Sequence, residues 1–318
     1  MSSLIEQAAL RLAQLREAGV EMPDDLPKRF PGAPSKEEID ATVAAASAAA
    51  SAAAPVAHVE EPPHPASKRV ELDLAALAAQ GFLTPESPRT HIADQYRVIK
   101  RPLIKNAMGR GVVTPNHSNL IMVTSALAGE GKSFTSLNLA LSIASELDNT
   151  VMLVDADVAR PSVLRMLGLP QGPGLLDVLE NKVDMAEVLL RTNVDKLTLL
   201  PSGTPHPRAT ELLASDAMSE LLDKMAKRYP DRIIIFDSPP LLLTTESRVL
   251  DSHMGQIVVV VHAEKTAQSA VQQALATIEN CPLKMMLLNQ ASVNASGSYG
   301  YGYGYGYGYG YGNEPAKG

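Results

Sequence analysis

Six short apolar runs that alternate with helical segments determine how the middle of this chain can fold. The runs are Leu120–Thr124, Val151–Asp155, Leu197–Leu200, Arg232–Asp237, Ile257–Val261 and Met285–Asn289. Segments with helical spacing lie between them, among them Ser133–Leu147, Glu211–Arg228 and Ala267–Asn280. Continuous apolar strands that alternate with helices are typical of a parallel sheet covered on both faces. We therefore predict an α/β domain over residues 70–295.

The composition excludes several other classes of protein. Lys and Arg number 28 against 35 Asp and Glu, and this net charge of −7 argues against a nucleic-acid partner held by bulk positive charge. The single cysteine, Cys281, excludes an internal disulfide framework and is expected to be buried. No run approaches the roughly 20 apolar residues of a membrane span, and Met1–Gln7 lacks a secretory pattern. We expect a cytoplasmic protein that touches a membrane only through a partner.

Three further segments flank the predicted domain. Residues 1–22 predict a short amphipathic helix, whose apolar face would pack on the chain's own core or on a partner protein. Residues 23–69 are rich in Ala, Pro and Ser and predict a disordered linker. Residues 296–318 contain a Tyr-Gly repeat, in which every second residue is costly to order, so a mobile tail is favoured over a strand.

A phosphate-binding pattern lies between the first apolar run and the helical segment after it. Residues 126–133 read Ala-Leu-Ala-Gly-Glu-Gly-Lys-Ser, a P-loop in which Ala126 replaces the leading glycine. The two glycines let the backbone N–H groups point at phosphate oxygens, and the start of the helix adds positive potential. Lys132 is expected to reach the β- and γ-phosphates, and Ser133 to ligate Mg²⁺. The expected nucleotide contacts in this segment are Gly129, Glu130, Gly131, Lys132, Ser133 and Phe134.

Carboxylates stand at the ends of two other apolar runs. Asp155 and Asp157 follow the second run, and Asp237 ends the fourth. Because the carboxyl ends of parallel strands meet at one edge of a sheet, we expect these acids and the P-loop to share one crevice. One carboxylate there can hold Mg²⁺, and another can accept a proton from an attacking hydroxyl. Asp157 can instead cap a helix, and Arg160 can pair with these acids, with a phosphate or at the surface.

Together these motifs resemble those of the bacterial tyrosine kinases. Asp155–Pro161, which follows a P-loop, is similar to the second Walker motif of that family, and Ile233–Pro240 is similar to its Walker B motif. Asp94–Lys100 resembles the family's E-x-x-R-x-x-R helix, with Asp for Glu and Lys for the second Arg. The C-terminal tyrosine cluster completes the set. The resemblance covers roughly residues 70–312 and points to the cytoplasmic autokinases encoded with exosortase-type exopolysaccharide systems.

The resemblance implies a P-loop NTPase-like fold and an ATP-dependent protein-tyrosine autokinase that uses Mg²⁺. Lys132 and Asp155 would be the catalytic residues, with Asp155 activating the tyrosine hydroxyl. Asn289 would contact adenine, although an asparagine in a turn is an open alternative. The Mg²⁺ ligands would be Ser133, Asp157 and Asp237. The phosphorylated residues would be Tyr299, Tyr301, Tyr303, Tyr305, Tyr307, Tyr309 and Tyr311.

The resemblance also implies partners. Asp94, Arg97 and Lys100 would build a ring-shaped homo-oligomer by meeting a neighbour's active-site rim, although Lys cannot form the bidentate fork of Arg. Pro102 is expected to break or kink that helix. An inner-membrane polysaccharide chain-length (co-polymerase) protein would be the activator through which the kinase regulates exopolysaccharide synthesis, chain length or export. A phosphotyrosine phosphatase would reverse the reaction.

Two other functions fit parts of the sequence. Partition and septum-positioning ATPases share the implied fold, but they carry a signature lysine near the start of the P-loop, where this chain has Leu127. A non-catalytic scaffold whose tail mediates adhesion or condensation is the second alternative. The three acids at strand ends argue against a scaffold, because acids at such positions have little structural purpose.

Overall fold

A computed structural model describes residues 67–85, 90–111, 115–228 and 231–292 of the chain. The predicted N-terminal helix, nearly all of the predicted linker and the tyrosine tail lie outside these residues. The contacts divide the chain into Met1–Pro62 and Pro63–Gly318, and all of the described residues belong to the second unit.

Strands and helices alternate along most of the described residues. The strands are β1 (Lys68–Val70), β2 (Leu120–Ser125), β3 (Thr150–Asp155), β4 (Leu190–Thr192), β5 (Leu197–Leu200), β6 (Arg232–Asp237), β7 (Gln256–His262) and β8 (Lys284–Asn289). The helices are α1 (Leu74–Ala79), α2 (His91–Ala107), α3 (Lys132–Ala144), α4 (Val163–Met166), α5 (Leu175–Leu179), α6 (Met185–Val188), α7 (Ala209–Leu213), α8 (Asp216–Arg228), α9 (Glu246–Asp251) and α10 (Gln268–Ala276). Within the described ranges, no helix has the length and apolar character needed to cross a bilayer.

The strands form one eight-stranded sheet in the order β1–β4–β5–β3–β6–β2–β7–β8. Every neighbouring pair is parallel except β4 and β5, which are antiparallel. The predicted α/β class with a mostly parallel sheet is therefore confirmed. All six strands predicted from the apolar runs are present, and their ends lie within one residue of the prediction.

The central strands are buried on both faces because alternate side chains enter two separate cores. Ile121 and Leu153 lie in the core that α2 and α3 cover. Met122 and Val154 lie in the core on the opposite face, against α5 and α8. Both cores are mainly aliphatic, as the scarcity of aromatic residues predicts.

Several predicted boundaries differ from the structure, since the helices predicted to end at Leu147 and Asn280 end at Ala144 and Ala276, and two other differences have a local reason. The helix predicted over Glu211–Arg228 is interrupted at Ser215, whose hydroxyl donates to the Leu212 carbonyl at 2.7 Å and accepts from the Met218 N–H at 3.3 Å. Such a side chain caps the start of a new helix, here α8. The sheet also begins at Lys68, inside the segment predicted as linker, because β1 pairs in parallel with β4.

Helix α2 runs through Pro102 to Ala107, so the predicted break at this proline is wrong. Proline removes one helical N–H and crowds the preceding turn. Leu103 and Ala107, which follow it, are both buried in the core. This packing holds the last turns of the helix, since tertiary contacts supply most of the stability of a helix.

Lys100 lies against the end of α3 rather than on the surface, with only 5% of the residue exposed. Its Nζ donates to the Ser142 carbonyl at 2.5 Å and lies 2.6 Å from Oε1 of Glu146. A cation at this position satisfies carbonyls at a helix C-terminus and opposes the helix dipole. Asp94 and Arg97 are exposed and pair with each other. Lys100 therefore stabilises the fold, which corrects the prediction that its side chain meets a neighbouring copy.

Replacing Lys100 by Met is expected to lower the free energy of unfolding by about 1–3 kcal/mol, because a buried carbonyl loses its charged donor. Arg97→Met is the matched control, and it should change the free energy by less than about 0.5 kcal/mol because its ion pair is exposed. Urea denaturation followed by circular dichroism measures both variants. Equal effects at the two positions would contradict the structural role of Lys100.

Candidate functional site

The sheet brings the P-loop and two of the three acids to one edge. β6 lies between β2 and β3, and the three strands are parallel, so their carboxyl ends are adjacent. Asp155 and Asp237 are register partners at the ends of β3 and β6. The P-loop follows β2 and leads into α3. Crevices at such an edge are where ligands bind in open α/β sheets.

Two glycines give the P-loop its shape. Gly129 and Gly131 have φ values of 84° and 91°, in the region that other residues rarely adopt. A Cβ on Gly131 would lie 2.1 Å from Nδ2 of Asn289. Asn289 ends β8, and its Nδ2 donates to the carbonyl oxygen of Glu130 at 2.9 Å. The last residue of β8 therefore supports the loop directly.

The Glu130 side chain braces the P-loop from inside the protein. Its Oε2 accepts from the Leu127 N–H at 2.6 Å. Its Oε1 accepts from the Thr266 hydroxyl and, at 3.5 Å, from the His262 N–H. The carboxylate is buried and ties the loop to the end of β7. Only the backbone of Glu130 is therefore available to a nucleotide.

Lys132 opens α3 and directs its ammonium group at Asp157. The Nζ atom lies 2.6 Å from Oδ2 of Asp157 and 3.5 Å from Oγ of Ser133. Oδ1 of Asp157 accepts from the Arg160 N–H at 3.1 Å, so this acid also stabilises the turn after β3. These four residues line one cleft with a volume of about 390 Å³. A cation, a hydroxyl and the start of a helix at one cleft form a suitable phosphate site.

Asp155 and Asp237 are buried side by side, with 1% and 0% of each residue exposed. Oδ2 of Asp155 accepts from the N–H groups of Ser162 and Val163, at 3.0 Å each, at the start of α4. Oδ1 of Asp237 accepts from the Ser136 hydroxyl at 3.0 Å. Among the described residues, Oδ1 of Asp155 and Oδ2 of Asp237 have no hydrogen-bond partner. Each acid therefore keeps one buried oxygen free for chemistry.

The environment makes both acids difficult to ionise. Burial, and then the negative charge of Asp237, raise the pKa of Asp155 to about 7 against two backbone hydrogen bonds that lower it. Burial also raises the pKa of Asp237, while the positive charge of Lys132 and the hydroxyls of Ser133 and Ser136 oppose the shift. A carboxyl group that titrates near neutral pH is suited to accept a proton.

The unpartnered oxygen of Asp237 fits a hard divalent cation. Mg²⁺ is usually bound by one or two carboxylates, with phosphate and water completing the shell. The Ser133 hydroxyl contacts Asp237 and adds a further oxygen ligand. Within the described ranges, no three His, Cys, Asp or Glu side chains form a metal cluster by themselves. A cation here would therefore need oxygens from a phosphate or from water as well.

The remaining predicted site residues lie away from the acids. The Phe134 ring packs against Phe82, with ring centroids 5.0 Å apart, so its backbone is the part that faces the P-loop. Asp94 and Arg97 lie on α2, outside the cleft. The seven tyrosines of the cluster lie outside the described residues.

Two polar residues of the site were not predicted from the sequence. Ser136 binds Asp237, and it follows Ser133 by three residues, a helical spacing that places both on one face. Thr266 binds Glu130 and follows the carboxyl end of β7. The rule that places functional residues after parallel strands would have found Thr266.

Asp155→Asn is expected to stabilise the protein when no Mg²⁺ is present. The amide removes a carboxyl group that resists ionisation, and its nitrogen can donate to the free oxygen of Asp237. A folded pKa of about 7 against 3.8 corresponds to a gain of about 2–4 kcal/mol at pH 8. The raised pKa penalises the wild type only where the unfolded acid is ionised, so the gain should be small near pH 4 and should grow until about pH 7.

Thermal and urea unfolding in EDTA between pH 5 and pH 8 measures this difference. Asp148→Asn is the matched control, because Asp148 is an exposed carboxylate outside the site. A gain that does not vary with pH, or an equal effect in the control, would contradict the raised pKa of Asp155.

Known proteins are similar to this chain in sequence and in fold. The AAA-domain family matches residues 118–290 of the chain. The tyrosine-protein kinase YwqD of Bacillus subtilis (strain 168) is 31% identical over 214 residues, which cover 67% of this chain and 86% of that protein. The tyrosine-protein kinase Ptk of Acinetobacter johnsonii is 32% identical over 242 residues, which cover 71% of this chain and 33% of Ptk.

A solved structure agrees with the sequence relatives. The crystal structure of the VpsO kinase domain superposes with a TM-score of 0.52 at 26% identity, covering 64% of this chain and all of that domain. The sheet order, the P-loop and the acids at the ends of β3 and β6 are thus accompanied by relatives that are named as tyrosine kinases. This chain belongs to the bacterial tyrosine-kinase family and is a protein-tyrosine kinase of the bacterial type.

Proposed function

We propose that this kinase uses ATP and Mg²⁺ to phosphorylate the C-terminal tyrosine cluster, mostly on neighbouring copies of the chain. The observation that carries the proposal is the pair of buried acids, Asp155 and Asp237, each with one unpartnered oxygen, with the charge of Lys132 acting on Asp237. The proposed substrate is the tyrosine cluster, because the glycines between the tyrosines would let each hydroxyl in turn reach a fixed site. The tyrosines are Tyr299, Tyr301, Tyr303, Tyr305, Tyr307, Tyr309 and Tyr311.

Binding of the nucleotide would rely on the P-loop. Backbone N–H groups of residues 129–134 would donate to the phosphates, and Lys132 would exchange Asp157 for the β- and γ-phosphate oxygens. Adenine would lie near Asn289, whose amide already contacts the loop. Mg²⁺, with Ser133, Asp157 and Asp237 as its protein ligands, would neutralise charge on the phosphates.

Asp155 would act as the base in the transfer. Its free Oδ1 would take the proton of the tyrosine hydroxyl while the phenolic oxygen forms a bond to the γ-phosphorus. The bond from that phosphorus to the bridging oxygen would break, and ADP would leave with the electron pair. The pKa of about 7 supports this role, because a base near the working pH combines availability with strength.

The cellular role would be control of exopolysaccharide synthesis, chain length or export. The resemblance of the motifs and of the tyrosine cluster supports it. Ptk is longer, since this chain covers 33% of it, and in such relatives the kinase occupies only part of the protein. We assign this chain a separate inner-membrane co-polymerase as activator, a location at the cytoplasmic side of that membrane, and a phosphotyrosine phosphatase as the reversing enzyme.

A ring-shaped homo-oligomer would bring each tail to a neighbouring site. Arg97 and Asp94 are exposed on α2 and can exchange their mutual ion pair for contacts with another copy. Lys100 is buried and does not take part. The ring contact would therefore depend on Arg97 rather than on a pair of basic residues.

Lys132→Met is expected to reduce tyrosine phosphorylation by at least about 100-fold, because the P-loop lysine holds the transferred phosphoryl group in the transition state. Phosphopeptide mass spectrometry of the purified chain with MgATP measures the effect. Lys224→Met is the control, because Lys224 is exposed on α8 and pairs with Glu220. Phosphotyrosine retained in the Lys132 variant would overturn the proposed function.

Phosphorylation is expected to dissociate the oligomer. Each phosphotyrosine carries about −1.5 to −2 charges, so seven would add about −10 to −14 to each tail, and adjacent tails would repel each other. Analytical ultracentrifugation should find a large species before treatment with MgATP and a smaller one after it. A variant with all seven tyrosines changed to Phe should stay assembled under both conditions. An unchanged mass of the phosphorylated wild type would refute the switch.

A further inference from the structure

An apolar groove runs between α2 and the edge strand β8. Its volume is about 780 Å³, and its walls include Ile92, Val98 and Ile99 from α2 and Met285 and Leu287 from β8, whose side chains pack against the core that α2 covers. The lining residues include no Asp, Glu, Lys or Arg. Lys132, Ser133 and Asp157 line a different cleft, and only Phe134 and Asn289 of the expected nucleotide contacts line the groove, so the phosphate chemistry does not account for its apolar length.

Strand β8 presents an open edge beside this groove. It pairs with β7 on one side, and no described strand pairs with its other side. Met286 and Leu288 lie on the face of β8 opposite to α2 and are 66% and 64% exposed, so the edge strand is apolar on both faces, and an exposed apolar edge attracts another strand. Residues that cover such an edge would gain both backbone hydrogen bonds and apolar contacts.

The tyrosine tail emerges at this surface. Gln290 and Ala291 line the groove and directly follow β8, and the first tyrosine of the repeat, Tyr299, lies eight residues beyond Ala291. Residues 290–298 can span up to about 30 Å, more than enough to turn back along β8. A segment tethered so closely is present at millimolar effective concentration.

The side-chain period and the lack of charge of the tyrosine tail also match the groove. The tyrosines recur every second residue, which is the side-chain period of a strand and places all of the rings on one face. Residues 293–312 include no charged side chain, like the lining of the groove. The predicted helix at residues 1–22 has neither the strand period nor this neutrality.

We propose that the unphosphorylated tyrosine-glycine tail docks on its own β8 as an added antiparallel strand, with its rings in the groove against α2. The orientation follows from the short connection, since a parallel strand would need a crossover of a dozen or more residues. Tyrosine rings make favourable contacts with methionine and aliphatic side chains. Docked tyrosines are held away from the catalytic cleft.

The repeat makes the docked register degenerate. A shift of two residues places the next tyrosine in the same position, so several registers have equivalent contacts. Different tyrosines are then released from the groove in turn while others stay bound. If the tail is the substrate, as proposed above, each phosphate would also oppose docking, because a doubly charged group is costly to place in an apolar groove.

Site-specific photocrosslinking tests the docking without any kinase reaction. Val98 or Gln95 is replaced by benzoylphenylalanine in the full chain, which is treated with phosphatase and kept free of ATP. Both positions are exposed and line the groove, so neither substitution should unfold the protein. Leu147, an exposed leucine at the end of α3, is the control position. We expect crosslinks to residues 299–312 at least about fivefold more often from the two groove positions than from Leu147, as local tethering predicts.

Mixing isotopically labelled and unlabelled chains identifies the occupant. Crosslinked peptides in which both partners carry the same label support docking of the chain on itself. Peptides with mixed labels would show that the tail of a second copy fills the groove, and they would overturn the proposal. Crosslinks to residues 1–66, or no crosslink above the control, would overturn it as well.

Tail variants test the chemistry of the contact. Changing all seven tyrosines to Phe keeps the rings and should keep the crosslinks, whereas changing all seven to Glu should abolish them. Equal crosslinking in the two variants would overturn an apolar docking site. Because no phosphate is transferred in these experiments, a failure here is distinct from a failure of the proposed kinase reaction.

Discussion

The candidate site depends on two carboxyl groups that the structure buries next to each other. Asp155 and Asp237 are paired in register at the ends of β3 and β6, in the most buried part of the sheet. Two acids so close cannot both ionise cheaply. The fold supports them with the start of α4, with the Ser136 hydroxyl and with the positive charge of Lys132, yet leaves one oxygen of each unpaired. The arrangement costs stability and is retained at the site of chemistry, which is where such strain is expected.

The P-loop is held by two contacts with the carboxyl ends of β7 and β8. The Glu130 carboxylate connects it to the end of β7, and Asn289 connects it to the end of β8. Gly131 has no room for a side chain because Asn289 occupies that space. The edge strand and the nucleotide loop therefore share a direct contact, so an event along β8 can reach the loop through a single side chain.

The sequence predicted the sheet well because its signal is local. Continuous apolar runs such as Ile257–Val261 are typical of strands buried on both faces, and the P-loop and the acids mark the carboxyl ends of such strands. Lys100 was misjudged because its environment is tertiary. Its partners Ser142 and Glu146 lie more than 40 residues away along the chain, and no pattern around Lys100 reveals them. Pro102 was misjudged because the burial of Leu103 outweighs a local preference.

In the candidate site too, the sequence predicted which residues are present but not the surroundings that set their properties. The motifs that contain Lys132 and Asp155 were sufficient to expect a phosphate site. It could not show that Asp155 already caps α4 with one oxygen and keeps the other free. That distinction matters for catalysis, because a carboxylate saturated with backbone donors would have a lowered pKa and would be a poor base. Burial beside Asp237 raises the pKa of Asp155 instead, so the property that the proposed base needs arises from the pairing of β3 with β6 rather than from its motif.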